Sequence, residues 1–345
     1  MIFIDGIIYS LQNSGGISVY FDEYLKYLKK NKIESELIIY PNNNPYASDF
    51  NVNRTPRMSL SIERYIDVGI SPETKNDIFH SSYYRLPANK KNVKIITTVH
   101  DFTYEVFPKG LKTIVHHWQK KRAILNSDGI ICISESTRKD MLKYIPEAQD
   151  IPTKVIYNGV SDFTPLEKTS SNDKYVVFVG ARNGYKNFTS CVKALQKHED
   201  IKLVVVGGGK FNAEEITLLN EYIPGRFNHA GFVSEEELNL LYSNAYCLIY
   251  PSLYEGFGIP VIEAMRSGCP VIASNSSSVK EIATGSAILL DKITEDDISH
   301  ALLKLGDNVI REKLISAGLV NSTKFSWTKM AQETLNFYDE IRDIK

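Results

Sequence analysis

The chain has 345 residues, of which 43% are hydrophobic and 23% charged, and its net charge is -1. That balance excludes a disordered polymer and gives no global electrostatic case for nucleic acid. The length suits two domains, each with its own core.

Taken in chain order, "MIFIDGIIYS" opens without a basic segment and carries Asp5 early, so it reads as a first strand and not as a signal peptide. A helix is predicted over 17–30. The strands "SELIIY", "DIFHS" and "KIITTVHD" follow, then a helix over 111–126, the strand "GIICIS" and a helix over 135–143. Such alternation predicts a mostly parallel sheet with helices on both faces. A polar stretch, "TPLEKTSSND", separates this series from a second one, which puts a boundary near 158–171. "KYVVFVGA" starts the second series and leads into a helix over 187–197 and the strand "IKLVVVGGG". "SEEE" at 234–237 is a capping box that opens a helix running through Ala245. "YCLIYPS", "PVIAS" and "AILLD" are further strands. The tail from Trp327 to Ile344 sets Trp327, Met330, Ala331, Thr334, Phe337, Tyr338 and Ile341 on one helical face. No apolar run approaches the ~18 residues of a membrane span. Cys132, Cys191, Cys247 and Cys269 form no C-x-x-C pair and read as buried, reduced thiols.

The segment "PSLYEGFGIPVIEAM", 251–265, carries the strongest chemical signal. Pro260 suits the first turn of a helix and Gly268 its stop, so "GFGI" is a strand-to-helix turn. Gly256 and Gly258 let the backbone approach a ligand, and the helix start directs N–H groups and a positive dipole end at it, which suits a diphosphate. Glu255 and Glu263 bracket the turn. They suit hydroxyls, Glu255 those of a sugar and Glu263 those of a ribose; a solvated loop acid and a first-turn helix acid fit the spacing equally well. "VGARNGYKNF" puts Arg182 and Lys186 just past a strand, where two cations can neutralise a leaving diphosphate or merely face water. Gly15 and Gly16 form a second close-approach turn, and His100 ends an apolar strand.

With these residues in place the chain resembles the retaining family 4 glycosyltransferases of GT-B fold, whose E-x7-E signature matches "EGFGIPVIEAM". The resemblance runs through "NSGGISVYFDEYLKYL", "VHD", "ICISESTRKDM", "VIYNGV", "VGARNGYKNF" and "FSWTKMAQETLNFY". It implies an α/β architecture of two Rossmann-like doubly wound domains facing a deep cleft: 1–160 for the acceptor, 161–326 for the donor, and a helix over 327–345 crossing back to the first domain. It implies catalytic roles for His100, Glu255, Arg182 and Lys186. Donor contacts fall to Gly15, Gly16, Gly180, Phe232, Phe257, Gly258, Ile259 and Glu263. The family pattern has one more residue between arginine and lysine and often a glycine after the lysine; here three residues intervene and Asn187 follows.

The implied reaction moves a sugar, with retention, from a nucleoside diphosphate sugar to a saccharide acceptor in surface polysaccharide (O-antigen, lipopolysaccharide) synthesis. The "VHDFTYEVFP" region resembles mannosyl- and rhamnosyltransferases, which tilts the donor toward GDP-mannose or a related GDP- or UDP-sugar. No D-x-D occurs, so neither a metal nor another cofactor is expected. Rival readings are a nucleotide-sugar epimerase of the same architecture and a non-catalytic sugar-binding subunit. A dehydrogenase lacks its G-x-G-x-x-G. "HHWQKKR", 116–122, joins Trp118 to three cations. It suits either an anionic membrane bearing a lipid-linked acceptor or an ordinary amphipathic helix with Trp118 inward. The expected location is the cytoplasm, with room for peripheral contact at the inner membrane.

Overall fold

The computed structural model describes residues 1–12, 15–48, 50–167 and 174–344. The chain divides into two compact units, one formed by Met1–Gly159 with Ser326–Lys345 and the other by Val160–Phe325. Part of the boundary stretch expected at 158–171 lies outside the described residues, as do Asn13 and Ser14 of the first glycine turn.

The first unit holds strands β1 (Ile2–Asp5), β2 (Ser35–Ile38), β3 (Asp77–Ser81), β4 (Val93–Val99), β5 (Gly129–Cys132) and β6 (Thr153–Val155). They form one sheet in the order β2-β1-β3-β4-β5-β6, and every pairing is parallel. β1, β3 and β5 are buried along their whole length, as strands covered on both faces must be. The Gly16–Lys30 helix buries Tyr20, Phe21, Tyr24, Leu25 and Leu28. Against it packs the Trp327–Asp343 helix, whose buried face is the one the apolar spacing gives, Trp327 through Ile341. Tyr338 Oη lies 2.5 Å from His80 Nδ1, and Thr98 Oγ1 lies 2.7 Å from the other ring nitrogen. Burial holds this imidazole down to about 3, so it is neutral.

The second unit holds β7 (Lys174–Val179), β8 (Ile201–Val206), β9 (Phe227–Gly231), β10 (Cys247–Tyr250), β11 (Val271–Ser274) and β12 (Ile288–Leu290). Its parallel sheet runs β12-β11-β10-β7-β8-β9. The chain goes one way from β7 to β9, then returns to the other side of β7 with β10. That reversal is a topological switch point, where ligands of doubly wound sheets bind beyond the strand ends. Phe178, Phe188, Val192, Leu195, Leu203, Val205, Ile249 and Ile298 are among its buried core. β6 and β9 are edge strands with mixed burial, which is why their sequences carry no strong apolar run. The second series' helix begins at Phe188 and ends at Leu195, because Asn187 adopts a left-handed conformation at its cap. All four cysteines are buried free thiols. Among the described residues no helix is long and apolar enough to cross a membrane.

Candidate functional site

Two loops flank the switch point of the second unit. One follows β7 and carries Gly180, Arg182 and Lys186; the other follows β10 and carries Glu255, Phe257 and Gly258. A backbone bond from Leu253 N–H to the Tyr185 carbonyl, 2.8 Å, ties them together. Gly180 has φ +104°, with open space where a Cβ would stand. Lys186 donates to Glu255 Oε1 at 2.5 Å, and both side chains are largely buried. The lysine cancels the carboxylate's charge, so Glu255 can sit beside a diphosphate without repelling it.

The β10 loop is fixed from below. Glu255 N–H donates to Ser277 Oγ at 3.0 Å, and Ser278 Oγ donates to the carbonyls of Glu255 and Phe257, both at 2.8 Å. Phe257 is buried and packs edge-on against Phe325. Gly258 caps the Ile259–Arg266 helix at φ 112°, and no side chain caps that N-terminus. Any residue with a Cβ would be strained there and would press on Ile282 at 3.2 Å. At the helix start Pro260 has no N–H and the Val261 N–H donates to the Gly258 carbonyl at 3.0 Å, so what is offered to an anion is the Ile259 N–H and the positive dipole end. One turn further, Glu263 accepts from Tyr242 Oη at 3.3 Å. Burial pushes its carboxyl up to about 7, the Tyr242 bond offsetting only part of that.

The structure engages Arg182 with the segment after β8. Its side chain is 3% exposed. Nε and Nη2 donate to Glu215 at 2.9 and 3.1 Å. Nη1 donates to the Gly207 carbonyl at 3.1 Å, and Nη2 also donates to those of Gly209 and Lys210 at 2.9 and 3.0 Å. The guanidinium also lies 4.9 Å from the Phe211 ring centroid. The cause is local. β8 lies beside β7, and after it Gly207, Gly208 and Gly209 all have φ near +73°, a left-handed run whose carbonyls converge on the fork. Gly207 N–H in turn donates to the Gly231 carbonyl at 2.8 Å, and His229 Nε2 lies 3.0 Å from the Gly207 carbonyl. Arg182 thus holds the glycine loop, and the loop holds the end of β9 at Gly231. Phe232 itself is exposed. Glu215 escaped the sequence reading, although "NAEE" at 212–215 is a capping box that marks it as an ordered acid.

The remaining sequence-chosen residues belong to the first unit. Gly15 has extended backbone, φ 174°, and a Cβ there would meet the Gln12 amide at 2.5 Å; Gly16 opens the helix that follows. His100 stands just past β4, buried, with its ring edge-on to Tyr20 at 5.3 Å between centroids. Burial brings it down to about 4, Asp101 opposing the shift. It is a neutral imidazole whose Nε2 is buried without a hydrogen-bond partner among the described residues. Among those residues there is no group of three side chains able to hold a metal ion.

Comparison with known proteins bears on the fold and the family. Over 99% of its length the chain superposes on 98% of sucrose-phosphate synthase from Thermosynechococcus elongatus, with a TM-score of 0.77 at 17% identity. The two α/β units have the GT-B architecture. Residues 160–318 match the family described as Glycosyl transferases group 1, and residues 14–162 match Glycosyltransferase Family 4. The chain belongs to the GT-B glycosyltransferases of family 4. It is 28% identical to O-antigen chain mannosyltransferase B of Escherichia coli, over 76% of this chain and 74% of that protein. It is 30% identical to the O-antigen chain mannosyltransferase RfbU of Salmonella typhimurium, over 59% of each.

Proposed function

We propose that the chain transfers a mannosyl or closely related residue, with retained anomeric configuration, from a nucleoside diphosphate sugar to a saccharide hydroxyl in surface polysaccharide synthesis. The observation that carries this reading is the Lys186–Glu255 pair, whose glutamate stands three residues ahead of the uncapped helix start at Gly258, at the switch point of the second unit. Two O-antigen mannosyltransferases among the relatives support the choice of sugar and of pathway. GDP-mannose is the donor to test first.

In this reading the bond between the anomeric carbon and the diphosphate oxygen breaks. The acceptor oxygen bonds to the same face of that carbon, and the acceptor proton passes to the leaving phosphate oxygen. No strong base is then required. Lys186 and the helix N-terminus stabilise the charge that grows on the diphosphate, which is the most effective place for preorganised donors. Glu263 accepts the ribose hydroxyls. Glu255, held by Lys186, orients the donor sugar, and neutral His100 offers Nε2 to a hydroxyl. Arg182 is a positioning residue that fixes the loop beside the base. The absence of D-x-D and the built-in cation are the grounds for expecting activity without a metal.

The test is thermal stabilisation by GDP-, UDP- and dTDP-sugars, since a ligand that binds the native state raises its melting point. The product anomer is then read by NMR, with a parallel reaction in EDTA. One nucleotide class should stabilise, and the product should keep the donor's configuration. No stabilisation at millimolar donor would sink the reading, and conversion of donor without acceptor would replace it with an epimerase.

A further inference from the structure

The Leu111–Leu125 helix of the first unit is inside out. A surface helix normally turns its apolar stripe to the core. Here the inward face is polar: His116, Gln119 and Lys120 are buried, with Ala123 and Ile124. The outward face carries Leu111, 79% exposed, Ile114, 64%, Val115 and Trp118, 53%, with Leu125 further along. Their spacing of three, one, three and seven residues makes one continuous stripe.

Specific bonds hold the helix in this orientation. Lys120, fully buried, donates to the Asp101 carbonyl at 2.7 Å and to Glu105 Oε2 at 2.9 Å. Gln119 Nε2 donates to the Arg64 carbonyl at 2.6 Å, and His116 Nε2 lies 3.0 Å from Tyr83 Oη. Arg122 grips Asp67 through two bonds, 2.8 and 2.7 Å. Rolling the helix to hide the stripe would break these bonds and leave Glu105 and the Asp101 and Arg64 carbonyls without these partners. The sequence's amphipathic alternative, with Trp118 inward, is therefore overturned. Of the three cations in 116–122, Lys120 is buried, Lys121 pairs with Glu147 and Arg122 with Asp67.

The charge around the stripe says what covers it. The helix contains no Asp or Glu. A groove of about 450 Å³ runs along its start, lined by Arg64, Tyr65, Tyr104, Leu111, Lys112 and His116 among others, again without an acid. Lys109 and Lys112 are exposed and, among the described residues, have no ion-pair partner. A second copy, related by a twofold axis, would bring these lysines together with no carboxylate on the helix to answer them. An anionic bilayer accepts both features: apolar side chains and an indole enter the headgroup boundary while lysines meet lipid phosphates.

We propose that this face docks the protein on an anionic lipid bilayer. It deepens the transferase reading by naming the surface from which a lipid-borne acceptor would be taken, and only that link rests on the reading.

The full chain has two tryptophans, and Trp327 is buried, so the change in emission on adding vesicles reports Trp118. Vesicles of phosphatidylcholine with phosphatidylglycerol should shift emission to the blue and co-sediment with the protein. Binding should weaken in high salt and with pure phosphatidylcholine. The triple variant Leu111→Ser, Ile114→Ser, Trp118→Ser should lose at least about tenfold in partitioning, judged by sedimentation, because apolar burial supplies the attraction. Its melting point should stay, since each replaced side chain is exposed. Lys109→Glu with Lys112→Glu should abolish the preference for anionic lipid. Absence of vesicle binding, or equal binding by the triple variant, overturns the proposal. So does a dimer in sedimentation equilibrium that the triple variant dissolves. If vesicles fail while a nucleotide sugar still stabilises the chain, only this inference falls; if no nucleotide stabilises it, the transferase reading falls and the vesicle result stands.

Discussion

Replacing Arg182 separates two roles that a cation beside a donor site can play. The guanidinium makes five hydrogen bonds, two to Glu215 and three to main-chain carbonyls, and its side chain is 3% exposed. Arg182→Met leaves Glu215 and three carbonyls without this partner, and breaking a buried pair from one side costs about 3–5 kcal/mol. In a unit of roughly 150–250 residues each kcal/mol moves the melting point by about 2–4 °C, so the transition should fall by roughly 6–20 °C. Arg182→Lys keeps the charge but not the fork, and should lose about 1–3 kcal/mol. Calorimetry with and without saturating nucleotide sugar reads both effects. The folded fraction of either variant should still be stabilised by the nucleotide, because the phosphate anchors remain. If Arg182→Met melts within about 2 °C of the parent yet is no longer stabilised by donor, the guanidinium serves the diphosphate and the positioning argument is wrong.

Three further outcomes follow from the same geometry. Lys186→Met should lower kcat by about 10²–10³, the scale of losing one preorganised donor at a developing anion, while the melting point moves less than in Arg182→Met; kcat and unfolding measured on the same preparation decide it. Glu263 is held near 7, so its ionised form dominates only above that pH. Ribose hydroxyls that donate to the carboxylate favour the ionised form, so nucleotide affinity should rise between pH 6 and 8 with proton release on binding. Titration calorimetry in buffers of different ionisation heat measures that release, and Glu263→Gln should flatten the profile. The same raised value means that this carboxyl favours folding most fully below about pH 4.5, and that its contribution is lost as pH rises through about 7. Gly208→Ala should destabilise by about 1–2 kcal/mol or more, because φ is +72° and the new Cβ would lie 2.5 Å from the Gly180 carbonyl and 2.6 Å from Arg182 Nη1; a urea midpoint equal to the parent's would contradict the clasp.

Much of the second unit was legible before any coordinates. β7, β8 and β10 are apolar runs because they are central strands of the sheet, and the capping box at Ser234 sits where the sequence puts it. The tail helix announced its buried face residue by residue, since a 3.6-residue period survives whatever the helix packs on. The edge strand β9, "FNHAG", was illegible because an edge strand needs no apolar alternation on both sides.

Sequence alone determined the two α/β series and the strand-to-helix turn at Gly258, because spacing and residue type express local geometry. Where the charged side chains point was decided only by the tertiary structure. Arg182 and Lys186 look alike along the chain, yet one faces three carbonyls and a carboxylate beyond β8, and the other the carboxylate of Glu255. Lys120 looks like surface and is fully buried, while Leu111 and Trp118 look like core and face outward. A long charged side chain settles wherever the fold gathers its acceptors, and those acceptors come from segments far away in sequence, which no local pattern records.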